Sequence, residues 1–314
     1  MYPAQQRDLA RRLKERALEL GFLACGISEA GPLDREARDL EAWLSRGLHG
    51  TMSWMENHFD KRVDPTVLVP GARSVISVLH NYYPPEEPAG GPEVGRISRY
   101  AWGDDYHLVL KDRLRELFGW LDEAVGGRLE GRVFTDSAPV MDKAWARRSG
   151  LGWIGKHTNL LTKQVGSWYF IGEMIVDVPL PPDGPVTDHC GSCTRCIDAC
   201  PTGAITAPYQ LDANRCISYL TIEYREDELP EIPGDGLGNW IYGCDVCQEV
   251  CPWNRFASPT TEPRYQPREG LPDTTLDAWA ELDVEEFREL FRGSAVKRTK
   301  YAGLMRNVRA AGKR

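Results

Sequence analysis

The sequence contains the run Cys190-Gly-Ser-Cys193-Thr-Arg-Cys196-Ile-Asp-Ala-Cys200-Pro201, whose cysteines are spaced C-x2-C-x2-C-x3-C-P. A second run, Cys244-Asp-Val-Cys247-Gln-Glu-Val-Cys251-Pro252, repeats this spacing without its first cysteine. Cys216 lies between the two runs and can supply the missing thiolate. Eight thiolates are the number that two [4Fe–4S] clusters require, at four per cluster.

The same spacing occurs in bacterial two-cluster ferredoxins, where the fourth cysteine of each run ligates the other cluster. It predicts that one cluster is held by Cys190, Cys193, Cys196 and Cys251. It predicts that the second is held by Cys200, Cys216, Cys244 and Cys247. Disulfides and zinc are the alternatives. Disulfide frameworks are typical of small secreted domains, and zinc does not explain two C-x3-C-P endings.

The chain has 314 residues, of which 42% are hydrophobic and 27% charged. This is an ordinary globular composition, long enough to bury a core in two or three domains. No apolar run reaches the length of about 18 residues expected of a membrane span, and no secretion signal is visible at the start. Oxygen-sensitive clusters favour a cytoplasmic protein. The ninth cysteine, Cys25, lies in an apolar run and is expected to be a core thiol.

The charge is unevenly distributed. The net charge of −8 argues against a strong non-specific nucleic-acid binder. From Arg288 to Arg314, however, there are nine Lys or Arg residues and one acid, Glu289. A basic end on an acidic body is typical of a polyanion site, and a solvated helix end is the alternative.

The hydrophobic pattern predicts both helices and strands. Helices are predicted over 6–20, 34–48, 284–292 and 294–311, with a further long helix that Asp104 or Asp105 caps and that ends near Val125. Strands are predicted over 22–27, 74–80, 131–134, 159–162 and 167–177, the last two as a hairpin. The segment 81–95 is expected to be a loop, and 179–185 a linker into the cysteine-rich part.

Asp136 ends a predicted strand in Thr135-Asp136-Ser137, ahead of a helix predicted to start near Pro139. Open α/β sheets bind their ligands at the carboxyl edge where such a residue lies. A helix N-cap is the alternative role. About 180 residues precede the cysteine runs, far more than a scaffold for clusters needs. We therefore expect a redox enzyme whose catalytic domain is fused to its electron donor.

Five features, in order along nearly the whole chain, resemble epoxyqueuosine reductases. They are Lys61-Arg62-Val-Asp64-Pro65, Ser98-Arg-Tyr-Ala-Trp-Gly-Asp-Asp-Tyr-His107, Phe134-Thr-Asp136-Ser-Ala-Pro139, Gly150-Leu-Gly-Trp-Ile-Gly-Lys-His157-Thr-Asn159 and the double cysteine run. The resemblance implies an α+β protein with three parts. These are a nitroreductase-like α/β domain that binds cobalamin (1–180), a ferredoxin-like domain with two [4Fe–4S] clusters (181–265) and a basic helical C-terminal segment (266–314), a shortened form of the HEAT-like helices of longer members.

Members of this family reduce the epoxide of epoxyqueuosine at the wobble position of tRNA to the cyclopentene of queuosine, the last step of queuosine biosynthesis. The resemblance implies a tRNA substrate with a GUN anticodon, and base-off cobalamin and two [4Fe–4S] clusters as cofactors. The sequence lacks the Asp-x-His-x-x-Gly loop that gives some corrinoid enzymes a lower histidine ligand. The reaction requires an unidentified low-potential electron donor. We expect a monomer without membrane attachment.

Asp136 matches the proton donor of the family. The expelled oxygen needs a proton, and an apolar pocket would raise the carboxyl pKa so that it gives one at neutral pH. Tyr106 and His107 are predicted to line the substrate pocket. The predicted cofactor contacts are Arg62, Asp136, His157, Asn159, Ser218 and Asp245. The predicted tRNA contacts are Lys297, Arg298, Lys300 and Arg306. Each polar side chain could instead be a satisfied core or surface group.

Two other functions stay open. One is a corrinoid iron–sulfur reductase, similar to reductive dehalogenases, that acts on a small molecule. Those enzymes usually carry a twin-arginine signal, which is not visible here, and would leave the basic end without a purpose. The other is a non-catalytic electron-transfer module, which the long N-terminal part and Asp136 disfavour. Cobalamin binding and a change in tRNA would discriminate among the three.

Overall fold

The computed structural model describes residues 2–84, 86–87, 90–234 and 236–312. Within these ranges the α-helices are α1 Pro3–Glu19, α2 Asp34–Ser45, α3 Phe59–Val63, α4 Pro65–Leu68, α5 Tyr106–Ala124, α6 Asp142–Arg148, α7 Arg195–Asp198, α8 Ile217–Ile222, α9 Val246–Glu249, α10 Leu276–Ala280, α11 Val284–Leu290 and α12 Lys300–Ala310. The strands are β1 Ala24–Glu29, β2 Ser74–Asn81, β3 Arg96–Ile97, β4 Gly131–Phe134, β5 Trp153–Ile154, β6 Leu160–Leu161, β7 Tyr169–Val176, β8 Ile205–Ala207, β9 Gln210–Leu211 and β10 Trp240–Tyr242. The predicted mixture of helices and sheet is confirmed. Lys313 and Arg314, which belong to the basic end, lie outside the described ranges.

The main sheet has the strand order β1-β2-β7-β4, and all three pairings are antiparallel. β2 is buried over Ser74–His80, which explains its nearly continuous apolar run. A sheet covered on both faces needs apolar residues at successive positions rather than at alternate ones. The sheet edge at which we expected Asp136 is the end of the antiparallel edge strand β4.

Helices cover both faces of this sheet. On one face, Leu9, Leu13 and Ala17 of α1 pack with the leucines of α5 that recur every three or four residues. Gly172 of β7 lets α5 approach closely, since a Cβ there would lie 2.8 Å from Cδ1 of Leu114. On the other face, Trp145 of α6 packs with residues of β2, β4 and β7. These contacts hold the end of β4 against the starts of α5 and α6.

The cysteine-rich part and the C-terminal helices share cores with earlier residues. β10 pairs in parallel with β3, through Trp240 with Arg96 and Tyr242 with Ile97. One buried cluster joins the segment 97–102, β10 and the C-terminal helices α10–α12. The C-terminal helices are thus fixed against the segment that leads into α5.

Three predicted elements differ from the structure. The hairpin across 163–166 is limited to one antiparallel bridge, between Thr162 and Gly166, because β6 pairs with β5 while β7 enters the main sheet between β2 and β4. The helix after Asp136 begins only at Asp142, with Met141 as its N-cap, so Asp136 is not a helix cap. The final helix is split into a 3-10 turn, Ala295–Thr299, and α12. Within the described ranges, no helix is both long and apolar enough to cross a membrane.

Candidate active site

All nine cysteines of the chain are free thiols. Seven of them belong to the two runs, and these seven together with Cys216 fall into the two predicted ligand sets. Burial and then the charges of Cys251, Cys190 and Cys193 raise the pKa of Cys196 to about 11. Burial and the charges of Cys247 and Cys216 raise the pKa of Cys244. Such mutual effects require closeness. We call the outer thiol group Cys190, Cys193, Cys196 and Cys251, and the inner thiol group Cys200, Cys216, Cys244 and Cys247.

A cavity of about 1110 Å³ opens between the main-sheet part and the cysteine-rich part. All four residues of the inner thiol group line it. So do most of the site residues predicted from the sequence, namely Arg62, Tyr106, His107, Asp136, His157, Asn159, Ser218, Asp245, Lys297 and Arg298. Lys300, Arg306 and the outer thiol group are not part of its lining. Residues as far apart in sequence as Arg62 and Arg298 therefore meet around one space.

Asp136 follows β4 in the left-handed backbone region, with φ of 53°. A non-glycine residue adopts this region at an energetic cost, and such residues concentrate at functional sites. The side chain lines the cavity and stays 60% accessible. Its Oδ2 accepts a hydrogen bond of 2.5 Å from the hydroxyl of Tyr106, and Nε2 of His107 lies 3.3 Å from the same oxygen.

Opposing effects set the pKa of Asp136. Burial raises it, but hydrogen bonds from His107 and Tyr106, with the positive charges of His107 and Arg298, bring the pKa below its ordinary value. The carboxyl group is therefore ionised at neutral pH. The expected raised pKa is wrong, because the apolar pocket that we expected contains two hydrogen-bond donors that stabilise the charged form.

His107 is held between two carboxylates. Oδ1 of Asp105, the N-cap residue of α5, lies 2.7 Å from Nδ1 of His107 and accepts from its backbone N–H at 3.0 Å. Burial lowers the pKa of His107, but the hydrogen bonds and charges of Asp105 and Asp136 outweigh burial and raise the pKa to about 9. The imidazole ring is therefore protonated at neutral pH.

Tyr106 lies in an aromatic stack that fixes its hydroxyl. Its ring is 4.1 Å from the ring of His107 and 4.2 Å from that of Phe170, with interplanar angles of 27° and 5°. Burial and the charge of Asp136 raise the pKa of Tyr106 well above its ordinary value. The phenol thus keeps its proton and acts as a hydrogen-bond donor to Asp136.

Two buried donors on the cavity wall lack partners. His157 is 3% exposed, and its Nδ1 accepts from the N–H of Asn159 at 3.2 Å. The pKa of His157 falls to about 4 through burial and the charge of Lys143, so the neutral ring carries its hydrogen on Nε2. This Nε2, like Nε of Arg62, is buried without a hydrogen-bond partner among the described residues. Buried unpaired donors favour a ligand with acceptor groups.

Asp245 and Ser218 approach the cavity from the cysteine-rich part. Ser218 lines it beside Cys216. Asp245 is 2% exposed, and its carboxylate accepts from the hydroxyl of Ser98 and, at 2.8 Å, from the N–H of Arg99. Asp245 also lines the cavity, so the cofactor contact predicted there stays a prediction. Its carboxylate anchors the segment 98–99 to the second cysteine run.

The predicted tRNA contacts lie in different surroundings. Lys297 and Arg298 line the cavity from the 3-10 turn Ala295–Thr299 and are exposed. Arg298 pairs with Glu223 and keeps 52% of its side chain accessible. Lys300 follows the turn and is also exposed. These three form the rim cations.

Arg306 is buried, at 6% exposure. Its guanidinium donates to three main-chain carbonyls, those of Leu220, Tyr224 and Glu226. A buried guanidinium with its donors satisfied does not reach a phosphate. The prediction of a tRNA contact at Arg306 is therefore wrong, and its role is to hold α12 against the end of α8.

Sequence reasoning gave no role to Lys143. This residue of α6 lines the cavity, and its Nζ donates to the carbonyl of Thr158 at 3.2 Å and to Oδ1 of Asn159 at 2.9 Å. Burial lowers its pKa, while the charges of Cys247, Asp142, Asp136 and Cys216 act in the other direction. Lys143 thus lies within range of the charges of Asp136 and of two inner thiols, Cys216 and Cys247. No motif surrounds it in the sequence that could have indicated this position.

Electrons that pass through the inner thiol group and a proton held beside Asp136 would meet in one cavity, as in an iron–sulfur oxidoreductase. Two segments of the chain match separate family models. Residues 62–137 match "Epoxyqueuosine reductase QueG, DUF1730" and residues 189–254 match "4Fe-4S double cluster binding domain". The epoxyqueuosine reductase of Cellulophaga algicola is 55% identical over 296 residues, which are 94% of this chain and 95% of the relative. The chain belongs to the epoxyqueuosine reductase family.

Solved structures agree with this assignment. An epoxyqueuosine reductase with an epoxyqueuosine-modified tRNA-Tyr stem loop is 32% identical, with a TM-score of 0.87 over 96% of this chain and 80% of that one. The Bacillus subtilis enzyme, with its catalytic aspartate loop swung out of the active site, is 32% identical, with a TM-score of 0.86 over 96% of this chain and 80% of that one. A reductive dehalogenase, at 17% identity and a TM-score of 0.50 over 98% of this chain and 38% of that one, shares the fold.

Proposed function

We propose that this chain reduces epoxyqueuosine at the wobble position of tRNA to queuosine. The observation that carries the proposal is the cavity in which the inner thiol group, Asp136 and two of the rim cations, Lys297 and Arg298, meet. The 55% identity to a relative named epoxyqueuosine reductase supports the choice of substrate. The reaction removes the epoxide oxygen, forms a carbon–carbon double bond and consumes two electrons and two protons, with water as the second product.

The two thiol groups would each hold a [4Fe–4S] cluster. We assign Cys190, Cys193, Cys196 and Cys251 to one, and Cys200, Cys216, Cys244 and Cys247 to the other. The effects of the thiols on one another's pKa values support closeness within each set, although Cys196 of the outer group also acts on Cys247 of the inner group. Coordination by iron would keep these sulfurs deprotonated despite their burial. An external low-potential donor would supply electrons to the outer cluster, and oxygen-sensitive clusters favour a reducing compartment such as the cytoplasm.

The cavity residues fit base-off cobalamin. A volume of about 1110 Å³ exceeds the range of about 300–1,000 Å³ of small-molecule pockets, which favours a large cofactor. The unpaired Nε2 of His157 and Nε of Arg62 would donate to the amide side chains of the corrin, with Ser218 on the opposite wall. Cobalamin, when bound, supplies the metal centre that hands electrons to the epoxide carbon. The N-terminal fold would be nitroreductase-like.

The chain's own residues would handle the departing oxygen. Asp136 holds its carboxylate at the cavity surface, and Tyr106 and His107 orient it through Oδ2. A proton carried by this carboxyl group reaches the oxygen as the carbon–oxygen bond breaks. The structure of the Bacillus subtilis enzyme with a catalytic aspartate loop swung out supports a mobile loop around Asp136.

The rim cations would receive the phosphates of the anticodon loop. Lys297 and Arg298 lie at the cavity wall, and Lys300 is exposed just beyond. Such contacts give affinity that falls with salt, while the base inserted into the cavity supplies recognition. A relative bound to an epoxyqueuosine-modified tRNA stem loop supports this substrate. We keep 1–180, 181–265 and 266–314 as the catalytic, cluster-binding and basic helical parts.

The test is anaerobic reaction of the cluster-loaded protein with cobalamin, epoxyqueuosine-containing tRNA and a low-potential reductant. Mass spectrometry of the nucleosides should show the loss of one oxygen, dependent on cobalamin. If cobalamin binds and the nucleoside is unchanged, the proposal fails in favour of a reductase for small molecules. If no cobalamin binds, the cofactor assignment fails as well.

A further inference from the structure

Asp136 poses a problem as a proton donor. Its Oδ2 accepts from Tyr106 and lies beside His107, and these contacts, together with the charge of Arg298, keep the pKa of Asp136 below its ordinary value. At neutral pH the carboxylate holds no proton of its own. A proton for the departing oxygen must therefore come from a neighbour of Asp136.

A continuous line of polar atoms leads to Asp136 from the start of α5. Oδ1 of Asp105 lies 2.7 Å from Nδ1 of His107, and Nε2 on the opposite side of the same ring lies 3.3 Å from Oδ2 of Asp136. The backbone N–H of His107 donates to the same Oδ1 of Asp105, and the imidazole stacks on Tyr106 at 4.1 Å. The ring is thus fixed from three directions, with one nitrogen on each carboxylate.

We propose that Asp105 and His107 form a relay that stores a proton and passes it to Asp136 for delivery to the substrate oxygen. This inference rests on the proposed reduction of epoxyqueuosine. In the transfer, the Nε2–H bond of the imidazolium breaks as the Oδ2–H bond of Asp136 forms, and that proton then moves to the departing oxygen. The electrons come from the external donor of the reductase. Solvent returns a proton to His107 after each turnover.

The surroundings suit this role. Asp105 stabilises the imidazolium from behind, as a positioning residue, and it acts on the substrate only through His107 and Asp136. Other charged groups also affect the pKa values of the carboxyl groups. The charge of Lys111 lowers the pKa of Asp105, and the charge of Arg298 lowers that of Asp136. The charge of Asp136 in turn raises the pKa of Asp142. Tyr242 also feels the charge of Asp105. The cations stabilise both flanking carboxylates, and those carboxylates stabilise the protonated ring.

The relay predicts a specific pH dependence. The pKa of His107 is raised to about 9, so the imidazole ring is protonated below that pH and loses its proton above it. The single-turnover rate should therefore fall as pH rises through about 9. Asp105→Asn removes the charge behind the ring but keeps a good helix N-cap, so it should move this fall to lower pH. Asp112→Asn, on an exposed aspartate two turns further along α5, is the matched control.

The experiment measures single-turnover deoxygenation of epoxyqueuosine tRNA from pH 6 to 10 with the cluster- and cobalamin-loaded enzyme. His107→Gln should lower the rate about a hundredfold and abolish the fall near pH 9, and added imidazole should restore part of the rate of His107→Ala. Iron content and tRNA affinity, measured on the same samples, should match the wild type.

Three results would overturn the relay. They are a wild-type pH profile in Asp105→Asn, an undiminished rate in His107→Gln, and failure of imidazole to restore His107→Ala while its iron content and tRNA affinity are intact. The wild type, assayed in parallel, separates the two proposals. If the wild type leaves epoxyqueuosine unchanged, the proposed function fails. If the wild type is active and the His107 variants are equally active, only the relay is excluded.

Discussion

The inner and outer thiol groups arise from the same cysteine spacing but face different surroundings. All four inner cysteines line the large cavity, together with Asp136 and Lys143. Cys251 of the outer group instead lines a second cavity of about 950 Å³, which has Arg195, Arg255 and Glu249 in its wall. The exposed residues Gly191, Ser192, Thr194 and Arg195 lie between or beside the outer cysteines.

This difference indicates a direction for electron flow. We propose that a donor in solution reduces the outer group first and that the inner group passes electrons to whatever occupies the large cavity. In the proposed ligand assignment, the last cysteine of each run binds the other cluster, so the repeated motif gives two separate electron-transfer sites. Sequence symmetry thus produces functional asymmetry, and the following changes test it in order of decreasing effect.

Loss of an inner ligand should have the largest effect. Cys216→Ser and Cys190→Ser should each remove one cluster and lower the iron content from about eight to about four per chain. Cys216→Ser should abolish turnover with every reductant, because the cavity loses its immediate electron source. Cys190→Ser should keep part of the activity with a small reductant that enters the large cavity. Equal loss in both variants under those conditions would break the distinction between the groups.

Removal of the carboxylate on the cavity side should come next. Asp136→Asn should lower the single-turnover rate about 10²- to 10⁴-fold, the usual contribution of a general acid, while both clusters and cobalamin stay bound. Asp198→Asn, which changes an aspartate in the wall of the second cavity, is the control and should retain the wild-type rate. Activity of Asp136→Asn close to that of the wild type would exclude the proton-transfer role.

The rim cations should affect binding rather than chemistry. Replacing Lys297, Arg298 and Lys300 by Ala should weaken tRNA affinity and reduce the slope of log affinity against log salt by about one for each lost phosphate contact. The paired change Arg195→Ala and Arg255→Ala, beside the outer group, should leave both quantities unchanged. A salt slope that responds to the outer arginines and not to the rim would reverse the assignment of the two faces.

The smallest effect concerns stability on the cavity side. His107 has a pKa raised from 6.5 to about 9 in the folded protein, so the folded state binds its proton more tightly than the unfolded state does. The resulting stabilisation is complete below about pH 6.5 and is lost as pH rises through 9. Because the ring is partly exposed, we expect about 1 kcal/mol. Tm against pH should show this loss in the wild type and a smaller one in Asp105→Asn.

Local patterns in the sequence were sufficient for much of the molecule. The strand that ends before Asp136, the capping of α5 by Asp105 and the linker before the cysteine runs depend on residues close in sequence. The ligand sets assigned to the thiol groups follow from spacing alone. Most of the predicted site residues line the one cavity, because the family segments that carry them are brought together by the fold.

The remaining features depend on distant contacts. β7 pairs with β2 and β4 rather than with β6, because its apolar residues are buried along the whole length of the buried strand β2. Arg306 lies in a basic stretch of the sequence, yet the main-chain carbonyls that accept hydrogen bonds from its guanidinium lie about 80 residues earlier. The lowered pKa of Asp136 depends on Tyr106 and His107, 30 residues away. Periodicity and composition do not contain such contacts.

The bond network of Asp245 links the timing of electron transfer to the packing of the fold. This residue lies between Cys244 and Cys247 and binds Ser98 and Arg99, just ahead of the helix that carries Tyr106 and His107. The rate of electron tunnelling falls steeply with distance. The buried hydrogen bonds of Asp245 fix the distance between the second cysteine run and the segment 98–99, and so help to fix that rate. A change at Asp245 that leaves every cluster ligand in place would then slow reduction by lengthening the gap that electrons must cross.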